Sequence, residues 1–402
     1  MWYEYKLSMQ RILQFFNPDS DLALAGGDPN YITPRLARKM GEDLSVLPCW
    51  YSPQDAAILT AAKDSLKNWD SWHPFRDFFG FDELKAHSEL LPVPWGWNPG
   101  LVRLFRKAGM DEAFLPGSGQ MEELRRLSHR SSSVHLFRSL SFSFPVCGSP
   151  VVLSSAGNVR HYAGNHPSFL LKEPLSGSGK GLRWCKGEYT EALQHWSRKV
   201  IKVQGSIIAE PIYNKVKDFA MEFYAGNDGS VSFAGYSLFV TDEWGAYQGN
   251  LLLSDDEIES RLSRFVPFEQ LGAVREQLLK QLPLLLKGNY TGYLGVDMMI
   301  CRDEDSLEYL IHPCVEMNLR MNMGMVAHSL YENHMSAGSI GVFRVEYFKT
   351  PVELMRKHTE MNRAYPLVMD GNRVKSGYLP LIPIGDDTQY LAYICVDDNK
   401  LA

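Results

Sequence analysis

Two apolar runs, each carrying carboxylates and separated by a short polar turn, constrain this chain more than any other stretch. Tyr293-Leu-Gly-Val-Asp-Met-Met-Ile300 reads as a strand with a single carboxylate, Asp297, among apolar neighbours. A polar turn, Arg302 to Ser306, separates it from Leu310-Ile-His-Pro-Cys-Val-Glu-Met-Asn-Leu-Arg320. Glu316 and Asn318 alternate on that second run, so both side chains fall on one face of a strand. A hairpin brings Asp297 alongside them. Two carboxylates and an amide oxygen on one face suit Mg²⁺, which takes hard oxygen ligands and keeps waters and substrate phosphates as the rest. The alternative is structural ion pairing with Arg320, because buried unpaired acids are costly. His312 and Cys314 flank Pro313 without a second Cys/His pair nearby, so they read as structural and not as a zinc site.

Two earlier segments carry chemistry of their own. Phe169-Leu-Leu-Lys-Glu-Pro-Leu-Ser-Gly-Ser-Gly-Lys-Gly-Leu-Arg-Trp184 closes a β-type run on Lys172 and follows it with a Ser/Gly loop holding Lys180. Glycines let backbone N–H groups approach phosphate oxygens, and lysines add compensating charge. The segment is neither a Walker A loop nor G-x-G-x-x-G, and Leu-Arg-Trp-Cys after it predicts a second strand. Taken alone, a surface hairpin of no function reads equally well. In Ile207-Ile-Ala-Glu-Pro-Ile-Tyr213 an apolar strand runs into Glu210-Pro211, with Asp218 beyond. Pro211 withholds one N–H and favours an extended hinge, which can present backbone groups to a purine edge. A strand end with solvated acids is the plain alternative.

Length and composition set the frame. The 402 residues suit two or three folded units, and 45% hydrophobic with 22% charged residues excludes a disordered or fibrous chain. A net charge of −6 disfavours general nucleic-acid binding. No stretch is apolar enough to span a membrane and no leader is read at Met1, which predicts a cytoplasmic protein. The six scattered cysteines fit reduced core thiols. Arg11 to Phe16 predicts a first strand and Pro34 to Met40 a helix, with a second apolar run at Ser45 to Trp50. Such alternation predicts βαβ units and a parallel sheet. Leu91 to Gly100, rich in Pro, Gly and Trp, reads as a loop, and a domain boundary falls near residues 116–133. Asn17-Pro-Asp-Ser-Asp21 follows the first strand, where open α/β sheets bind ligands. Asp19 or Ser20 caps a helix there, or Asp19 and Asp21 receive a cationic substrate.

Phosphate loop, hinge and metal acids, in that order, resemble the ATP-grasp superfamily of ligases over about residues 125–330. Asp297 with Glu316-Met-Asn318-Leu-Arg320 is similar to its D…E-x-N(-x-R) signature. Lys172 resembles the lysine that contacts the nucleotide phosphates. Ser176, Gly177, Ser178, Gly179, Lys180 and Gly181 resemble the mobile glycine-rich loop over them. Glu210 with the backbone of Pro211, Ile212 and Tyr213 resembles the adenine hinge, and Asp218 takes the ribose-binding acidic position, usually a Glu. Arg130 stands where these enzymes commonly carry another phosphate-contacting lysine, a departure in residue type.

The resemblance implies an α/β and α+β architecture: an ATP-grasp fold of two α+β subdomains gripping ATP, preceded by a Rossmann-like domain. The implied division is 1–120 for the Rossmann-like part, 121–210 for the lid, and 211–402 for the metal-bearing core with its C-terminal extension. It further implies an enzyme that uses ATP and one or two Mg²⁺ (or Mn²⁺) held by Asp297, Glu316 and Asn318. A carboxylate would be activated as an acylphosphate and joined to an amine or thiol, releasing ADP. Lys172, Lys180 and Arg320 would be the catalytic charges, with His328 and Ser329 either touching substrate or beginning a helix. Small-molecule carboxylate and amine substrates are implied, with no nucleic-acid or membrane partner, and homodimers are a common habit of the family. Two alternatives keep the same residues: a nucleotide-binding regulatory protein without ligation, and a small-molecule kinase.

Overall fold

The apolar run after Arg11 forms β1 (Ile12–Phe15), and β2 (Ala57–Leu59), β3 (Asp77–Phe79) and β4 (Leu91–Pro94) join it in an all-parallel sheet of order β3-β2-β1-β4. The computed structural model describes residues 10–61, 63, 66, 69, 71–177, 181–242 and 245–397. Leu13, Ala57, Ile58 and Leu59 are wholly buried, as strands covered on both faces require. Two sequence expectations change here. Ser45 to Trp50 is no strand: Pro48 opens a 3₁₀ turn, Leu47–Trp50, because a proline without an N–H suits a helical first turn better than a ladder. Leu91–Pro94, expected as loop, is a strand. Its odd-numbered N–H groups serve β1 (Leu91 donates to Arg11 at 3.0 Å and Trp95 to Phe15 at 2.7 Å), so Pro92 and Pro94 fall on the free side of an edge strand.

The chain forms two compact units: one of the chain up to Met121, Gly249–Ser254 and the chain from Met325, the other of Glu122–Gln248 and Asp255–Gly324. In the second unit, β5 (Val151–Leu153), β6 (Ser168–Lys172), β7 (Leu182–Lys186) and β8 (Ile207–Pro211) make an antiparallel sheet of order β5-β8-β6-β7. The helices Ala156–Asn165 and Glu191–Gln204 bury Val159, Tyr162 and Val200 against Phe169, Leu171 and Ile207 of that sheet. β9 (Lys215–Ala225) and β10 (Val231–Thr241) form a hairpin around Gly226-Asn-Asp-Gly229, followed by β11 (Tyr247–Leu252). β12 (Gly292–Arg302) and β13 (Tyr309–Asn318) pair antiparallel as expected, giving the order β13-β12-β9-β10. The serine-rich stretch near residue 130 is helical. Helix Arg130–Ser139 buries Ser132 and Ser133, and Ser133 Oγ accepts the N–H of Met317 at 2.9 Å, which fastens the helix start to β13.

Within the first unit, residues 250–252 of β11 pair with β14 (Gly341–Tyr347). With β15 (Val368–Asp370), β16 (Arg373–Pro380) and β17 (Tyr390–Val396) they run in the order β11-β14-β17-β16-β15. Among the described residues no helix is long and apolar enough to cross a membrane.

Candidate active site

Strand register decides which side chains share a face, because directly opposed residues in an antiparallel pair point the same way. Across β13-β12-β9-β10 three rows follow. Asn318, Gly295, Glu222 and Gly235 make the first, Glu316, Asp297, Ala220 and Ser237 the second, and His312, Met299, Asp218 and Phe239 the third. Asp297, Glu316 and Asn318 therefore meet on one face, as the spacing predicts, with Gly295 and Ala220 leaving the neighbouring positions low.

The polar groups orient one another. Asn318 Nδ2 donates to Asp297 Oδ2 at 3.1 Å, and Arg320 Nη2 donates to Asn318 Oδ1 at 3.2 Å. Arg130 Nη2 donates to Glu316 Oε2 at 2.6 Å, while its Nη1 donates to Ser176 Oγ at 2.8 Å and to the carbonyl of Glu173. Arg130 thus ties the base of the Ser/Gly loop to the Glu316 carboxylate. The loop closes where Glu173 N–H donates to the Gly181 carbonyl at 2.8 Å, and Gly177 lies beside Ser176. Ser178, Gly179 and Lys180 lie outside the described residues.

Asp297 keeps some exposure but is surrounded by protein. Burial, then the charges of Glu316 and Glu222, push its carboxyl up to about 8. Arg320 offsets that upward push only in part, and Arg130 is engaged by Glu316. Lys172 on β6 pairs with Glu210 on β8, both nearly inaccessible. Burial raises the Glu210 carboxyl, but Lys172 and His312 outweigh it and hold it at about 2. A carboxylate only accepts, so His312 Nε2, 3.2 Å from Glu210 Oε2, carries the proton. His312 thus serves Glu210, and Cys314 Sγ donates to the Ser133 carbonyl at 3.5 Å, so both have structural partners. Among the described residues no three His, Cys, Asp or Glu side chains form a metal-binding group, so any cation here needs Asn318 or non-protein oxygens. Pro211 ends β8. Ile212 and Tyr213 beyond it, with Gly148, Cys301 and Leu310, line a cleft of about 380 Å³. Asp218 accepts from Lys215 Nζ at 2.6 Å and Thr241 Oγ1 at 2.7 Å. His328 and Ser329 sit within helix Met323–His334, not at its start.

Sequence reasoning missed Glu222. It is 1% exposed and accepts from Ser237 Oγ at 2.9 Å and Asn322 Nδ2 at 2.8 Å. Its signal was present: an acid four residues after Asp218 in an alternating strand shares Asp218's face. Glycines make its room, since a Cβ on Gly295 would stand 2.7 Å from Glu222 Oε2 and one on Gly324 would stand 2.2 Å from Oε1. Gly324→Ala is therefore expected to destabilise the protein by about 1–3 kcal/mol in urea unfolding, as overpacking does. An unchanged midpoint would mean that Glu222 has room to move.

No protein-family model matches the chain, and no curated protein does. Solved structures do. Pyruvate carboxylase from Rhizobium etli is similar with a TM-score of 0.51 and 14% identity, over 97% of this chain and 36% of that one. Biotin carboxylase from Campylobacter jejuni, solved as its β,γ-ATP complex, gives 0.50 and 12%, over 98% and 89%. N5-carboxyaminoimidazole synthetase from Staphylococcus aureus, solved with ADP, gives 0.47 and 12%, over 97% and 95%. At such identities the likeness is one of fold. The chain has the ATP-grasp fold.

Proposed function

We propose that the protein is an ATP- and Mg²⁺-dependent ligase that activates a small-molecule carboxylate as an acylphosphate and joins it to an amine, or to a thiol, releasing ADP and phosphate. The observation that carries this reading is the shared face of Asp297, Glu316 and Asn318, tied through Arg130 to the Ser/Gly loop. The residues fit a nucleotide and a divalent cation. An acid cluster whose Asp297 is pushed up to about 8 calls for a divalent cation, and the cleft at Ile212 and Tyr213 suits a purine ring.

When bound, the nucleotide and its cation supply the activating phosphoryl group and the neutralisation of its charge. This chain's own residues do the rest. Asp297, Glu316 and Asn318 would hold the cation, with Arg320 fixing the amide of Asn318. Arg130, Lys172 and Lys180 would place positive charge along the phosphates, and Ser176 to Gly181 would offer backbone N–H groups. Glu210 serves this set by orienting Lys172, a role its ion pair supports, while the backbone at residues 211–213 would meet the adenine and Asp218 the ribose. Phosphoryl transfer needs such positioning more than covalent help.

The test is ADP release from purified protein with ATP and Mg²⁺ across carboxylate and amine panels. Release only when both are present, lost in Glu316→Gln, is expected. ADP with a phosphorylated hydroxyl product, or nucleotide binding without turnover, would replace this reading with the kinase or the non-catalytic one.

A further inference from the structure

One pair of side chains in the second unit takes no part in the proposed reaction: the thiols of Cys147 and Cys301. All six cysteines are free, and Cys147 alone among them is not buried. It belongs to the segment 146–149, which lies along the side of β13 away from β12. Cys147 N–H donates to the Ile311 carbonyl at 2.9 Å, and its Sγ donates to the Leu310 carbonyl at 3.7 Å. Cys301 reaches the same place from β12, because it directly opposes Leu310 in the β12–β13 register. It stands four residues past Asp297 on that strand, so alternation sets it on the same face as the acids. The two thiols are in side-chain hydrogen-bond contact.

Both residues line the cleft of about 380 Å³ at Ile212 and Tyr213. Cys185 and Cys314 make no such pair, since their sulfurs donate to the carbonyls of Glu188 and Ser133. Contact with Cys301, followed by burial, pushes the Cys147 thiol up, so it stays protonated until an oxidant enters the cleft. The segment carrying Cys147 is also fastened to the far wall. Ser149 N–H donates to Tyr213 Oη at 2.8 Å. Gly148, between them, holds a φ of +121°, and a Cβ there would stand 2.8 Å from His312 Nε2. With so little slack, a shift at Cys147 carries Ser149 and Tyr213 with it.

We propose that Cys147 and Cys301 are a redox modification site, a dithiol that a two-electron oxidant of thiols converts into a disulfide across this cleft. Each thiol gives up a proton, the pair gives up two electrons, and one S–S bond of about 2.05 Å forms. An azo compound such as diamide takes both protons and both electrons across its N=N bond and leaves as the hydrazine. The bridge draws residues 146–149 against β12 and narrows the cleft. Under the ligase reading it therefore also weakens nucleotide binding; that consequence rests on that reading, and the modification site does not.

Diamide treatment of the folded, full-length chain tests the site, with free thiols then blocked in denaturant and the peptides mapped by mass spectrometry. The expected result is one cross-linked peptide pair, holding Cys147 and Cys301, that dithiothreitol reverses. The same treatment of the urea-unfolded chain should scatter the pairing among all six cysteines. Calorimetric titration with ADP reads the consequence. Affinity should fall at least tenfold in the oxidised parent and return with dithiothreitol, whereas diamide should not shift the affinity of Cys147→Ser. Thiols that all stay free, or mixed pairings in the folded chain, would overturn the proposal. A mapped bridge with unchanged ADP affinity would overturn the narrowing of the cleft. ADP that does not bind the reduced parent would overturn the nucleotide reading and leave the mapped bridge standing.

Discussion

Replacing Lys172 with Met is expected to cost about 3–5 kcal/mol at pH 7, enough to unfold a large share of an ordinary domain. The reason is the partner left behind. Glu210 is 2% exposed and is held at about 2 by Lys172 and His312 against the pull of burial. Its folded value lies below its unfolded one, so the pair's stabilisation is complete above about pH 4.5 and is lost as pH falls toward 2. Without Lys172 only His312 still opposes burial, so the carboxyl rises and the stabilisation gained from its ionisation shrinks. The gap between parent and Lys172→Met should therefore be wide at pH 7 and narrow progressively below pH 4.5, closing only as pH approaches 2, measured by urea unfolding. Lys172→Met with Glu210→Leu should recover most of the stability, because an apolar pair of similar volume replaces a buried ion pair at little cost. Under the ligase reading that double variant stays inactive. A loss below about 1 kcal/mol in the single variant would show that Glu210 reaches water or another cation.

Asp297→Asn should have the opposite signature, a protein that is more stable and inactive. Burial, Glu316 and Glu222 push Asp297 up to about 8 in the folded chain. The unfolded chain ionises it near 3.8, so between about pH 4 and 8 the folded state binds more protons and loses stability as pH rises. Asparagine carries no such slope. Without divalent cation, the variant should match the parent near pH 4 and exceed it by about 1–3 kcal/mol at pH 8. Millimolar Mg²⁺ should close that gap by stabilising the parent alone. ADP release should fall at least ~100-fold, the scale of losing a charge aimed at the reacting phosphate. Parallel pH–stability curves for the two proteins would refute the acid-cluster picture, and unchanged turnover would remove Asp297 from the metal assignment. Both variants probe the same principle from different sides: one buried acid is satisfied by a cation the chain carries, the other, under the ligase reading, would be satisfied by one it acquires.

Much of the site was legible before the fold. Alternation on Tyr293 to Ile300 and Leu310 to Arg320 placed Asp297, Glu316 and Asn318 on one face, because a period of two is a local property of strands. Other features were illegible for physical reasons. Leu91–Pro94 looked like a loop because its prolines withhold donors, and only its place at a sheet edge makes that harmless. Glu222 could be recognised as a buried acid only once Gly295, Gly324 and Ser237 were seen around it, and these come from distant parts of the chain. Lys172 and Glu210 were read as phosphate contact and hinge; that they neutralise each other depends on β6 and β8 being neighbours.

Sequence by itself determined the strand periods, the hairpins and the order of loop, hinge and acids, since backbone propensity and side-chain alternation act over a few residues. Tertiary structure alone decided the electrostatics. A carboxylate's pKa depends on what surrounds it within a few ångströms, and for Asp297 and Glu210 those surroundings are assembled largely from residues far away in the chain.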